Sequence, residues 1–145
     1  CVSLLFGRSH GDIQPVLAMY AGMGAVLGHN YPFYLGFKGG KGIAATAGLL
    51  ASTVNIWMVL ICLFAFVGIV AATRYVSVGS LAVVVIYFIE IVVYGQMGGF
   101  GVEAPELYEM YAVAALLIVS AFYKHKANIQ RLLSRTENKL SFGKK

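Results

Sequence analysis

Residues 56–73 read IWMVLICLFAFVGIVAAT, eighteen consecutive positions without one charged side chain. A helix of that length rises about 27 Å at 1.5 Å per residue, close to the roughly 30 Å hydrocarbon core of a bilayer. No polar face interrupts the run, so it reads as a membrane-spanning helix rather than the buried stripe of a soluble domain. Working outward, further apolar segments run from about Ile13 to Leu27, Ile43 to Thr53, Val78 to Tyr94 and Leu107 to Tyr123. The chain is 59% hydrophobic and 12% charged, about half the charge of an ordinary soluble domain. The expectation is an all-α, polytopic membrane helix bundle of about five apolar elements, forming one integral membrane domain over residues 1–145.

Charge sets the orientation. Lys38, Lys41, Arg74, Lys124, Lys126 and Arg131 are expected on one side, and Glu103, Glu106 and Glu109 on the other. By the positive-inside rule the basic side is cytoplasmic. Lys41 and Arg74 share a side only if the chain crosses an even number of times between them. The element from Ile43 to Thr53, at about 16 Å, reaches only halfway across the core. A short hairpin turning near Ser52-Thr53-Val54-Asn55 meets both conditions, and is favoured over a single crossing with Arg74 outside. Residues 124–145 read as a polar, amphipathic cytoplasmic tail.

The net charge of +5 comes from basic residues at segment ends and in the tail, and does not indicate nucleic-acid binding. Cys1 and Cys62 do not suggest a disulfide framework; within an apolar helix Cys62 behaves as a small hydrophobe. Tyr31, Phe33 and Tyr34 sit where an aromatic belt falls. The opening CVSLLFGRSHG looks like the end of a helix entering a loop, with no signal peptide. An N-terminal portion is expected to be missing from the chain.

The first constellation with chemistry is GHNYPFYLGFKGGKG, residues 28–42. Two lysines among glycines put a positive charge beside flexible backbone N–H donors, which suits an anion such as phosphate. A helix starting near Ile43 adds its partial positive charge. A nucleotide P-loop does not fit, because Leu35 stands where its first glycine belongs and Gly42 follows Lys41 in place of Ser or Thr. The bland alternative, a basic loop with turn glycines, is about as well supported by residue types alone.

The second constellation is His125-Lys126-Ala127-Asn128-Ile129-Gln130-Arg131. If the last membrane helix continues, His125, Asn128 and Arg131 share a face, offering an imidazole, an amide and a guanidinium to an oxyanion. Glu137 and Lys139 are expected to hold the tail through ion pairs. The competing reading is a juxtamembrane segment bound to anionic lipid headgroups. Ser77 or Ser80 is expected to cap the helix that begins nearby, and Gly24 and Gly28 read as a close-packing G-x-x-x-G pair. His29 and Asn30 read as structural groups. No cluster has metal-ligand spacing, and no serine nucleophile elbow is present.

GHNYPFYLGFKGGKGIAAT, RYVSVGS and HKANIQRLLSRTENK, in this order and spacing, resemble the bacterial membrane glycerol-3-phosphate acyltransferases that use acyl phosphate, the PlsY family. The resemblance implies transfer of a fatty acyl group from acyl phosphate to sn-glycerol 3-phosphate. The products would be 1-acyl-glycerol 3-phosphate (lysophosphatidic acid) and inorganic phosphate, at the cytoplasmic face of the inner membrane. It implies no metal, cofactor or acyl-enzyme, and membrane lipids are its expected surroundings, with a monomer as the expected state. Carried onto this chain, Lys38, Gly39, Gly40, Lys41 and Gly42 would bind phosphate and stabilise developing charge. His125 and Asn128, with Ser77 nearby, would orient the reacting groups, supported by Arg131 and Glu137, while His29 and Asn30 shape the loop. Whether His125 or a substrate phosphate takes the hydroxyl proton stays open.

Two departures stand out. The family's N-terminal Ser-x-Asn loop has no counterpart here, so the chain is expected to be the C-terminal majority of such an enzyme and inactive as a fragment. Arg135 replaces a usual glycine, and the tail is expected to take a different path for want of an easy turn. Two other readings remain: a small anion transporter, against which Glu90 is the only charged residue well within a helix, and a noncatalytic membrane subunit.

Overall fold

The structure, a computed structural model, describes residues 13–53 and 55–141, so the opening CVSLLFGRSHG lies outside the described residues. Six α-helices follow in order: α1 Gln14–Asn30, α2 Ile43–Thr53, α3 Ile56–Thr73, α4 Val76–Gln96, α5 Ala104–Lys124 and α6 Lys126–Leu133. A 3₁₀ turn, Phe33–Leu35, lies between α1 and α2. No strand occurs among the described residues.

Local chemistry places the boundaries. Pro15 sits in the first turn of α1, where its missing N–H leaves no hydrogen bond unmade. The Asn55 side chain accepts from the Met58 amide at 3.2 Å and caps α3, so the turn falls where the hairpin was expected. The two arms are unequal. α2 has 11 residues, whereas α3, α4 and α5, with 18, 21 and 21, are each long and apolar enough to span a bilayer.

α1 packs against α2 and α5, and α4 packs against α3 and α5. Met19, Tyr87, Ile91 and Met110 are fully buried where these faces meet. The Tyr87 hydroxyl shares a hydrogen bond with Thr53 Oγ1 at 2.9 Å and lies 3.2 Å from Met19 Sδ. A buried phenol needs such a partner, and this one ties α4 to α2 and α1.

Four local expectations are corrected. Neither Ser77 nor Ser80 caps α4; its N-cap is Tyr75, without a side-chain bond. Ser80 instead donates to the Val76 carbonyl at 2.9 Å, the usual back-bond of a hydroxyl inside a helix. Among the described residues no atom lies within 4 Å of a Cβ built at Gly24 or Gly28, whereas Gly22 is pressed against Leu49. The helix does not run unbroken through His125, whose φ of −96° and ψ of 6° separate α5 from α6. Finally, the tail keeps a left-handed turn at Arg135, with φ +58°. The arginine itself adopts the left-handed conformation that glycine takes without strain.

Candidate functional site

The open ends of the α2–α3 hairpin meet the tail. The Leu140 amide donates to the Arg74 carbonyl at 2.7 Å, while Lys41 borders the same cavity as Glu137 and Asn138. Arg74 and Lys41 therefore share one end of the bundle. Between α2, α3 and α4 lies a cavity of about 710 Å³. Its mouth carries His29, Lys41, Gly42, Ser77, His125, Asn128 and Glu137, and its walls are apolar, including Leu50, Val59, Leu63, Phe66, Val83 and Val84.

The glycine-lysine loop is moulded on the end of α1. Asn30 is buried, donates to Ser120 Oγ at 3.3 Å and lends its carbonyl to Lys124 Nζ at 2.7 Å. The Gly40 amide donates to the His29 carbonyl at 3.2 Å. A Cβ at Gly39 would strike that carbonyl, and one at Gly40 would strike the His29 ring. Gly42, at φ +76°, would put a Cβ 2.6 Å from Asn30 Oδ1. Only glycine meets both demands at position 42. The Gly42 carbonyl then opens α2 by accepting from Thr46 N and Thr46 Oγ1, at 2.8 and 2.9 Å.

The tail folds back on one carboxylate. Glu137, its side chain 7% exposed, accepts from Asn128 Nδ2 at 2.6 Å, Arg131 Nε at 2.7 Å and Ser77 Oγ at 3.0 Å. The Asn128 donation foremost, with Arg131 and Ser77, outweighs desolvation and holds this carboxyl below its ordinary value. Of the two tail residues expected in ion pairs, Glu137 forms one, with Arg131. Lys139 instead stands 5.7 Å over the Tyr75 ring, an electrostatic contact with the ring face.

His125 is 1% exposed, and its Nδ1 lies 2.8 Å from the Ala121 carbonyl. A carbonyl only accepts, so Nδ1 carries the proton and Nε2 keeps its lone pair. Burial chiefly lowers the His125 pKa and Lys41 adds to this, against the Ala121 carbonyl and Glu137. The imidazole is therefore neutral at pH 7, with one basic nitrogen.

Seven of the residues singled out from sequence border this one cavity: His29, Lys41, Gly42, Ser77, His125, Asn128 and Glu137. Lys38, Gly39 and Gly40 are not on its wall, and Lys38 is exposed. Asn30 and Arg131 stand behind it, as supports of the loop and of Glu137. The sequence reading missed Thr46, Asn138 and the apolar wall, and Ser80, expected as a helix cap, also borders the cavity. Val59, Cys62, Leu63 and Phe66 do recur with helical spacing, but in a helix apolar all round that period carries no signal. Among the described residues no three His, Cys, Asp or Glu side chains are grouped to hold a metal ion. An ammonium, a neutral imidazole, an amide and backbone donors over an apolar shaft suit an amphiphile with an anionic head.

Comparison with known proteins agrees with this chemistry. The profile of the family described as glycerol-3-phosphate acyltransferase matches residues 1–135. A glycerol-3-phosphate acyltransferase of Halalkalibacterium halodurans is 46% identical over 123 residues, 85% of this chain and 56% of the relative. That of Salinibacter ruber is 41% identical over 138 residues, 94% of this chain and 56% of the relative. Among solved structures, the crystal structure of PlsY, an integral membrane glycerol 3-phosphate acyltransferase, in its glycerol 3-phosphate form superposes with a TM-score of 0.78 at 29% identity. It covers 96% of this chain and 64% of that one, and the lysophosphatidic acid form gives the same score. The chain thus spans a little over half the length of the two curated relatives.

Proposed function

The chain belongs to the glycerol-3-phosphate acyltransferase family, and on that basis we propose that its cavity is an acyl-transfer chamber. The protein moves a fatty acyl group from acyl phosphate to sn-glycerol 3-phosphate, yielding 1-acyl-glycerol 3-phosphate and inorganic phosphate. The observation that carries this reading is the cavity of about 710 Å³ with a cationic, hydrogen-bonding mouth and an apolar shaft. Both substrates have phosphate for the mouth, and one has a hydrocarbon chain for the shaft.

In this reading the acyl phosphate places its head beside Lys41 and Gly42. A glycerol 3-phosphate hydroxyl oxygen attacks the acyl carbonyl carbon, forming the new C–O bond. The bond between that carbon and the bridging phosphate oxygen then breaks, and phosphate leaves. Lys41 and the adjacent loop N–H groups stabilise the negative charge that develops on the carbonyl and leaving oxygens, commonly the greatest single contribution to catalysis. The hydroxyl proton passes to His125 Nε2 or to a substrate phosphate oxygen. Asn128 and Ser77 are fixed by Glu137 so that their remaining lone pairs are available at the mouth. Glu137, with three donors already, positions these groups. The basic end of this multi-pass membrane protein is the cytoplasmic face of the bacterial inner membrane, by the distribution of lysine and arginine.

The test is turnover by protein made from the full coding sequence and placed in lipid vesicles with palmitoyl phosphate and glycerol 3-phosphate. Lysophosphatidate and phosphate are expected in equal amounts. Failure to form either product overturns the reading.

A further inference from the structure

The turn beside the glycine-lysine loop points its apolar side chains away from the other described residues. Phe33, Tyr34, Leu35 and Phe37 are 57–79% exposed. The Phe33 and Tyr34 rings meet edge to face at 5.5 Å, and Phe37 takes a left-handed φ of +62°. Four large apolar side chains exposed within five positions form a patch that water does not favour. Lys38 follows at once, exposed, and no carboxylate pairs with it among the described residues.

The backbone of this turn is suited to a medium poor in water. The amides of Leu35, Gly36, Phe37 and Lys38 donate to the carbonyls of Pro32, Phe33, Pro32 and Leu35 at 3.0–3.3 Å. Four successive donors are thus satisfied within the turn, which lowers the cost of entering a low-dielectric boundary. Its depth is fixed from both sides. Asn30, the last residue of α1, is tied through its carbonyl to Lys124 at the end of α5. The Lys124 ammonium also stands 4.4 Å over the Tyr31 ring. The turn therefore starts where α1 and the membrane helix α5 end, at the level where aromatic rings and lysines favour the bilayer interface.

We propose that Phe33–Phe37 is an interfacial anchor, its side chains set into the headgroup–acyl boundary on the basic side and Lys38 facing anionic lipid phosphate. It holds the glycine-lysine loop in the plane where the heads of amphiphiles lie. Aromatic wedge and adjacent cation together match an anionic lipid surface.

The experiment uses full-length protein in vesicles, with Trp57, the one tryptophan of this sequence, and any tryptophan outside it replaced by phenylalanine, and a reporter introduced as Phe33→Trp or, separately, Tyr34→Trp. Lipids brominated just below the headgroup are expected to quench either reporter by half or more, with blue-shifted emission and little quenching by aqueous iodide. Raising the phosphatidylglycerol fraction should deepen the quenching, and Lys38→Glu should abolish that dependence. Water-like emission and full iodide quenching from both reporters, in vesicles of every composition, would overturn the anchor. Burial seen only after a soluble protein is added would do the same and assign the patch to a protein partner. Neither readout requires turnover, so a failure here and a failure of acyl transfer are separate outcomes.

Discussion

Ser77 and Glu137, sixty positions apart, meet at 3.0 Å and close the polar tail over the start of α4. The same carboxylate holds Asn128 and Arg131, so one side chain sets the relation of α4, α6 and the tail at the cavity mouth. Glu137→Ala should leave the membrane helices intact but release Asn128 and Ser77. A loss on the order of 10²-fold in kcat/KM is expected, the usual scale for misplacing reacting groups by about an ångström. Wild-type kinetics in this variant would separate the tail from the chemistry.

The carboxylate also makes the tail pH-sensitive. Its pKa lies below the ordinary 4.5, chiefly through Asn128, so the folded state favours the ionised form. The stabilisation is therefore complete above pH 4.5 and is lost as pH falls through the depressed value. Hydrogen exchange at the Leu140 amide, which bonds the Arg74 carbonyl, should lose protection below pH 4.5, after correction for intrinsic rate. Glu137→Gln should remove the transition, and a transition that survives would trace it to another group.

His125 responds in a different window. Burial foremost holds its pKa below 6.5, so the working imidazole is neutral and protonates only as pH drops beneath that value. Because the unfolded chain binds the proton more readily, stability associated with this group is full above pH 6.5 and declines below it. kcat/KM should show an acid limb below pH 6.5, and His125→Ala should reduce turnover by about 10²–10⁴-fold if its Nε2 takes the proton. An unchanged rate in His125→Ala would move the proton to the substrate phosphate.

How far the sequence anticipated this arrangement depended on where punctuation was strong. The bounds of α2 and α3 follow from Gly42, Asn55 and Arg74, each of which stops or caps a helix by its own local chemistry. The convergence of Lys41, Ser77 and His125 was legible only through the family resemblance, since no local pattern relates residues so far apart. The apolar wall was invisible because α3 is hydrophobic on every face. The serine caps failed because α4 already begins at Val76 with Tyr75 as its N-cap, which puts Ser77 and Ser80 inside the helix, and Arg135 carries the strain of a left-handed turn in the tail.

That strain is measurable. Arg135 is exposed with φ +58°, a conformation costing about 1–2 kcal/mol for a residue with a Cβ. Glycine removes that cost but loses about 0.5–1 kcal/mol in chain entropy. Arg135→Gly is therefore expected to stabilise the protein by a net amount of about 0–1.5 kcal/mol, read as a higher midpoint of thermal unfolding in detergent. A lower midpoint would mean that the arginine side chain contributes contacts outweighing its backbone.

The two loop glycines should differ. Gly40→Ala meets the exposed His29 ring, which has room to turn aside, whereas Gly42→Ala meets the buried Asn30 amide at a left-handed position. Loss of stability should be small for Gly40→Ala and relieved by His29→Ala. For Gly42→Ala it should be about 1–3 kcal/mol, the scale of strain at such a position. Equal effects, compared by thermal unfolding, would contradict the packing described between this loop and α1.

A cation at the mouth of one apolar cavity is what drives acyl transfer in the proposed reaction, and Lys41 supplies it. In vesicles carrying full-length Lys41→Ala, with insertion and thermal stability matched to the parent, kcat/KM for palmitoyl phosphate and glycerol 3-phosphate is expected to fall by about 10²–10³-fold, as when one preplaced charge-stabilising donor is removed. Turnover within a factor of two of the parent would contradict that role for Lys41 and for the cavity it guards.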